Sequence, residues 1–249
     1  MKRIKETLLA ILILAVVGVF IYFVYKEVNQ KTNRELARRI LELSPRGGTP
    51  ETIDALRKAI ALYEIQIERN VREGAQTGVY WKILGIRLAD KNMHNDALQA
   101  FERAVYFNTE DPTIYYLTGL SAASAAKSLV GFSNADEKER ARLYKLAENS
   151  YLRALELDAT YAKPMYGLGV LYVFELDRPQ DAIPHLERYL KININDVSAM
   201  FILARAYYST GNYSDALECY DRIIVRIKDK NIREEALRNK EIVQGIIYE

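Results

Sequence analysis

Two patterns of apolar and polar positions divide the chain. The first runs from Leu8 to Tyr25, LLAILILAVVGVFIYFVY, eighteen residues without a charge. At about 1.5 Å per helical residue it reaches roughly 27 Å, enough for a bilayer's hydrocarbon core. Tyr22 and Tyr25 stand at its far end, where amphipathic rings favour the headgroup layer. No small-residue A-x-A site follows it, as a cleaved signal peptide requires, and no cysteine follows, as a lipoprotein signal requires. An apolar run at the N-terminus behind Lys-Arg-x-Lys is also a poor match for a buried core helix. The pattern predicts a short basic tail at 1–7 and an uncleaved single-pass anchor at 8–25.

The second pattern fills the chain beyond residue 78. Trp81, Leu84, Gly85 and Leu88 lead to Ala97, Phe101 and Ala104. A second copy places Tyr115 and Gly119 before Ala147, Tyr151 and Ala154. A third gives Leu168, Gly169 and Tyr172, then Ala182, Leu186 and Tyr189; a fourth gives Leu203, Ala204 and Tyr207, then Gly211, Tyr213, Ala216, Tyr220 and Ile223. The copies are 78–111, 112–161, 162–196 and 197–230, so the second is sixteen residues longer than the first and the third one residue longer.

This spacing resembles the tetratricopeptide repeat, a 34-residue helix–turn–helix unit. The resemblance implies an all-α fold, a right-handed solenoid of stacked helix hairpins. Small residues (Gly85, Gly119, Gly169 and Ala204) then sit where each unit's second helix crosses the first, with Ala97, Ala147, Ala182 and Ala216 opposite. Trp81, Leu84, Phe101, Tyr172, Tyr207 and Tyr220 fill the layers, because a single hairpin cannot bury its own face.

The flanks read as array ends. Residues 231–249 begin another first helix but carry Arg238 where a small residue belongs, the mark of a solvating cap. Residues 26–77 read as a linker helix and a degenerate leading hairpin. Its arms, Thr32–Leu43 and Thr52–Arg69, flank the breaker Ser44–Pro50, and Glu73–Thr77 join it to the array. The sixteen added residues of the second copy predict about two extra turns on each helix. Ser121-Ala122-Ala123-Ser124-Ala125-Ala126 would pack tightly there, or the longer hairpin would project to dock a partner.

Composition narrows the chemistry. The chain has 35 basic and 33 acidic residues; setting aside Lys2, Arg3, Lys5 and Glu6 leaves 32 of each sign, so no global charge invites nucleic acid. No phosphate-cradling Gly-rich loop occurs, and the lone Cys219 reads as a small buried residue. His94 falls in a turn and His185 on the outer side of a helix, neither near a residue to activate. No nucleophile–base–orienter set can be assembled, so the expectation is no enzyme, no metal and no cofactor.

Binding remains. The resemblance implies a concave groove lined by each unit's first helix. Its positions fall on Lys82 and Ile86; on Tyr116, Leu120 and Ala123; on Lys163, Tyr166, Val170, Val173 and Phe174; and on Phe201, Arg205 and Tyr208. Aromatic and aliphatic with three cations, this lining would suit an apolar peptide or helix, with an acidic or carboxylate end accommodated. The alternative occupants are the protein's own inserted hairpin or terminal helices. A carboxylate clamp of the chaperone-binding kind is disfavoured: Lys82 and Lys163 match clamp positions, but Ile86 and Leu117 stand where its asparagines would be.

The expected protein is therefore a membrane-anchored scaffold with a protein or peptide partner. It resembles bacterial inner-membrane repeat proteins of envelope assembly, export or cytochrome maturation. Three basic residues precede the apolar run and five follow within twenty, yet long domains translocate regardless of charge. The N-terminus is expected in the cytoplasm and the bulk outside it. A cytosol-facing receptor and a small-ligand-binding transport subunit are the competing readings.

Overall fold

The computed structural model describes residues 52–129, 131 and 133–248, together with the single positions 22, 26, 27 and 38. The anchor segment 8–25, apart from Tyr22, and the arm 32–43 and breaker 44–50, apart from Arg38, lie outside the described residues. Among those described, no helix is long and apolar enough to cross a membrane.

Nine helices and no strand occur among the described residues. They are α1 (Ile53–Asp90), α2 (His94–Phe107), α3 (Pro112–Ser128), α4 (Asn134–Leu157), α5 (Ala162–Phe174), α6 (Pro179–Ile192), α7 (Val197–Ser209), α8 (Tyr213–Arg226) and α9 (Lys230–Tyr248). The chain divides into two units at Glu73/Gly74. Residues 73–77 do not interrupt α1: Gly74 and Gly78 weaken a helix, but no proline or capping residue stops it there.

Local chemistry fixes the helix starts in the second unit. Asp111 caps α3, its Oδ1 accepting from Thr113 N at 2.9 Å, with Pro112 at the first helical position. Asp196 caps α7 through Ala199 N at 3.0 Å. Ser133 and Asp136 form a reciprocal capping box at the start of α4. The α1–α2, α5–α6 and α7–α8 turns each need one left-handed residue, supplied by Asn92 (φ 60°), Asp177 (φ 48°) and Gly211 (φ 75°).

Helices α3 to α9 pack in antiparallel succession around one continuous core. Close crossing depends on the small residues. A Cβ on Gly169 would stand 2.6 Å from Leu186 Cγ, and one on Gly85 would stand 2.6 Å from Phe101 Cδ1. Ala97, Ala147, Ala182, Ala204, Ala216 and Phe101 are fully buried and Tyr172 and Tyr220 are buried, whereas Trp81 and Tyr207 are half-buried. Leu84 departs from the expected packing and is 44% exposed. Its counterparts Leu168 and Leu203 are covered within the stack, whereas Leu84 belongs to the leading copy.

The insertion is asymmetric. Helix α3 has 17 residues and α4 has 24, against 13 or 14 in the helices of the next two copies. Roughly one turn is thus added to the first helix and nearly three to the second, rather than two to each. Ser121, Ala122, Ala125 and Ala126 are buried along this hairpin.

Tyrosine–carboxylate bonds tie successive helices. Tyr172 donates to buried Glu148 at 3.0 Å, Tyr189 to Asp196 at 2.6 Å, and Tyr207 to Glu187 at 2.5 Å. Glu148 also accepts from Lys145 and Arg178, each at 2.8 Å. Burial alone would raise its pKa. The bonds from Lys145, Arg178 and Tyr172 outweigh that and hold the carboxyl below its ordinary range.

Candidate functional site

Two hollows lie on the wall built from first helices. The first, about 210 Å³, opens between α3 and α5. Tyr116, Leu120 and Ala123 face it from α3, and Lys163, Tyr166 and Val170 face it from α5. Its floor is Tyr151 of α4. That ring reaches between the two helices because Gly119 and Gly167 carry no side chain: a Cβ on either would come within 2.8 Å of it. Burial pushes the Tyr151 hydroxyl pKa upward, so the floor stays neutral.

The second hollow, about 480 Å³, is lined by Phe174 at the end of α5, by Phe201, Arg205 and Tyr208 of α7, and by Tyr220 of α8. Glu235, Asn239, Ile242 and Val243 of α9 close its far side. Helix α9 is thus a wall as well as a cap, and Ala236 and Val243 fix it by burial.

The charges of this wall are specific. Arg205 lies over the Phe174 ring at 4.9 Å, and Lys163 lies over Tyr116 at 5.7 Å. Such stacking holds a cation at an apolar surface while leaving donors for another partner. Lys127 is spent on Glu175 at 2.8 Å, at the rim of the first hollow. Burial would raise the Glu175 pKa, but bonds from Lys127 and Tyr144 hold it low.

The predicted lining is brought together in part. Tyr116, Leu120, Ala123, Lys163, Tyr166 and Val170 share the first hollow, and Phe174, Phe201, Arg205 and Tyr208 the second. Lys82 and Ile86 join neither. Lys82 Nζ donates to Asp111 at 2.7 Å, which neutralises it against the α3 cap, and Ile86 packs on the Ala97–Phe101 cluster. Val173 turns into the core and is buried. Sequence reasoning missed Tyr151, Glu175 and the α9 residues. Gly167, a second glycine two residues before Gly169, was the available signal for a ring crossing there.

The remaining chemistry-bearing residues stand apart from this wall. Cys219 is buried, and burial pushes its thiol to about 12. His185 is half-buried rather than on an outer side, its ring 6.0 Å from that of Tyr172. Burial and then Arg188 lower its pKa, with Asp181 opposing them. Among the described residues no group of three or more His, Cys, Asp or Glu could hold a metal.

Comparisons with known proteins agree with this architecture. A family model described as tetratricopeptide repeat matches residues 173–234. A TPR repeat-containing protein of Borreliella burgdorferi is 22% identical over 196 residues, covering 79% of this chain and 83% of the relative. Anaphase-promoting complex subunit 3 of Schizosaccharomyces pombe is 25% identical over 206 residues, 80% of this chain but only 28% of that protein's length. Among solved structures, YrrB, described as a TPR protein with an unusual peptide-binding site, superposes with a TM-score of 0.58 at 20% identity, over 73% of this chain and 83% of that one. A thermophilic TPR protein of Thermus thermophilus gives 0.51 at 18% identity, over 82% and 97%.

Proposed function

From the premise that this chain is a tetratricopeptide-repeat protein, we propose that it is a scaffold that holds an apolar peptide or helix of another protein against the α3–α5–α7 wall. The observation that carries this reading is the pair of adjoining hollows, rimmed by exposed Leu120, Phe174 and Tyr208 and by Lys163 and Arg205, each stacked on a ring. Rigid rings offer large contact area with little rotamer entropy to lose, and the two cations suit an acidic residue beside the apolar ones. The peptide-binding site named for the YrrB structure supports the same class of occupant.

The run at 8–25 adds the second half of the proposal: a single-pass anchor, N-terminus in the cytoplasm, with the array beyond the membrane. Anchoring raises the effective concentration of the array for membrane-bound partners, as suits envelope assembly, export or maturation. A reporter fused after Glu249 tests the orientation, and reporter activity in the cytosol would reverse it.

The binding reading is tested on the full chain in detergent micelles with an immobilised random-peptide library. Phe174→Ala and Tyr166→Glu should each weaken capture of selected apolar peptides at least ten-fold while helicity by circular dichroism stays unchanged. Undiminished capture by both variants would remove the wall as the binding surface.

A further inference from the structure

One face of the first unit's helix stands in water. Within Ile53–Glu73, the side chains of Ile53, Leu56, Ile60, Tyr63 and Ile67 are between 36% and 70% exposed. Their spacing alternates three and four residues, the a and d positions of a heptad, and Asn70 is the next d. The sheltered positions of the same segment are different ones. Ala59 is buried and Ala55, Leu62 and Gln66 are half-buried, on a face about 100° round the helix from the apolar stripe. The stripe is therefore not the side that this helix turns inward.

We propose that residues 53–70 are the seam of a parallel two-stranded coiled coil between two copies of this chain. The a positions are isoleucine three times, at 53, 60 and 67, with Leu56 and Tyr63 at the first two d positions; in a parallel coil, β-branched a residues with leucine at d favour two strands over three or four. In parallel register each layer meets its own counterpart. Ile53 faces Ile53 and Asn70 faces Asn70, whereas an antiparallel pair would set Ile53 against Asn70. Asn70 Oδ1 already accepts from Gln66 Nε2 at 2.8 Å, which leaves its amide donors for the partner.

The flanking positions agree. Parallel pairing brings Thr52 toward Arg57 of the other copy, while Ala59 and Gln66, at the equivalent flank positions, are uncharged and sheltered by their own chain, so no like charges meet. Five such side chains from each copy would remove on the order of 1,000 Å² from water, the size at which specific interfaces begin. Pairing would also give each assembly two walls, and hence avidity for a repeated or dimeric partner.

The test uses the full chain in detergent micelles, with Cys219→Ala as background. Ile53→Cys, Ile60→Cys and Ile65→Cys are oxidised separately and run without reductant. Ile65 is equally exposed but lies at f, outside the seam. Ile53→Cys and Ile60→Cys should each give disulfide-linked dimer at least ten-fold faster than Ile65→Cys, and the unsubstituted chain should show twice the monomer mass by light scattering. A monomer mass, or equal linking at Ile65→Cys, overturns the seam. Linking at Ile60→Cys without linking at Ile53→Cys overturns the parallel register. A monomer whose Ile60→Cys resists alkylation shows the stripe covered by its own chain, which also overturns it.

Discussion

Gly167 lies against the ring of Tyr151 so closely that a Cβ would stand 2.8 Å from Cζ, and Gly119 confines the other side of the same ring at 2.6 Å. A tyrosine from a second helix thereby becomes the floor of a hollow between two first helices. In an open helix interior, alanine in place of glycine stabilises by about 0.5–1 kcal/mol. Gly167→Ala should forfeit that gain, leave the melting temperature unchanged or lower, and weaken peptide capture several-fold. Gly245→Ala in α9, with nothing within 4 Å, should raise it. Thermal melts of the two variants side by side check the contrast.

Gly169→Leu should act on the fold instead. The new side chain enters the space of Leu186, which is fully buried with neighbours on all sides. Overpacking of this kind costs about 1–3 kcal/mol, and more where backbone must part. A lowered urea midpoint with broad loss of helicity is the expected readout.

Glu148 gives the array an acid-sensitive joint. Its folded pKa lies below the unfolded value of about 4.5, so its contribution is complete above that value and fades as pH falls through the lower folded one. Glu148→Gln removes this titration. The variant should be less stable at pH 7 by roughly 1–3 kcal/mol, because Arg178 and Lys145 lose a charged acceptor. Its stability should also fall less steeply than the parent's below pH 4.5. Denaturant midpoints from pH 3 to pH 7 separate the two curves.

Cys219 should be silent in the native protein. Buried, with its thiol pushed to about 12, it is protonated at pH 8 and shielded from reagents. Alkylation should begin only as denaturant unfolds the array. Rapid labelling of the folded chain would contradict the packing described for α8.

The hairpin pattern was legible because it is local. Gly169 and Ala182, or Ala204 and Ala216, recur at the spacing that close crossing demands. Four features were not. Nothing between Glu73 and Thr77 stops a helix, yet a boundary between units reads like a linker when only the repeat phase is followed. The tip Ser133–Arg140, acidic near its start, did mark where a helix begins, and α4 starts there, but nothing in the sixteen inserted residues showed that they divide unequally between α3 and α4. Lys82 looks like a groove cation from its repeat position. Its pairing with Asp111, 29 residues on, depends on how the first copy meets the second. The α9 wall of the second hollow is likewise tertiary, set by how Val243 and Ala236 dock rather than by any repeat position.

The wall itself is tested most directly by placing a photoreactive p-benzoylphenylalanine at Phe174, and separately at Leu98. Leu98 faces another hollow, of about 650 Å³, among α2, α3 and α4. Irradiated in native membranes, the chain carrying the probe at Phe174 should yield a discrete adduct with another polypeptide, and Tyr166→Glu should abolish it. An adduct from the Leu98 probe alone, or one from Phe174 indifferent to Tyr166→Glu, would contradict the account.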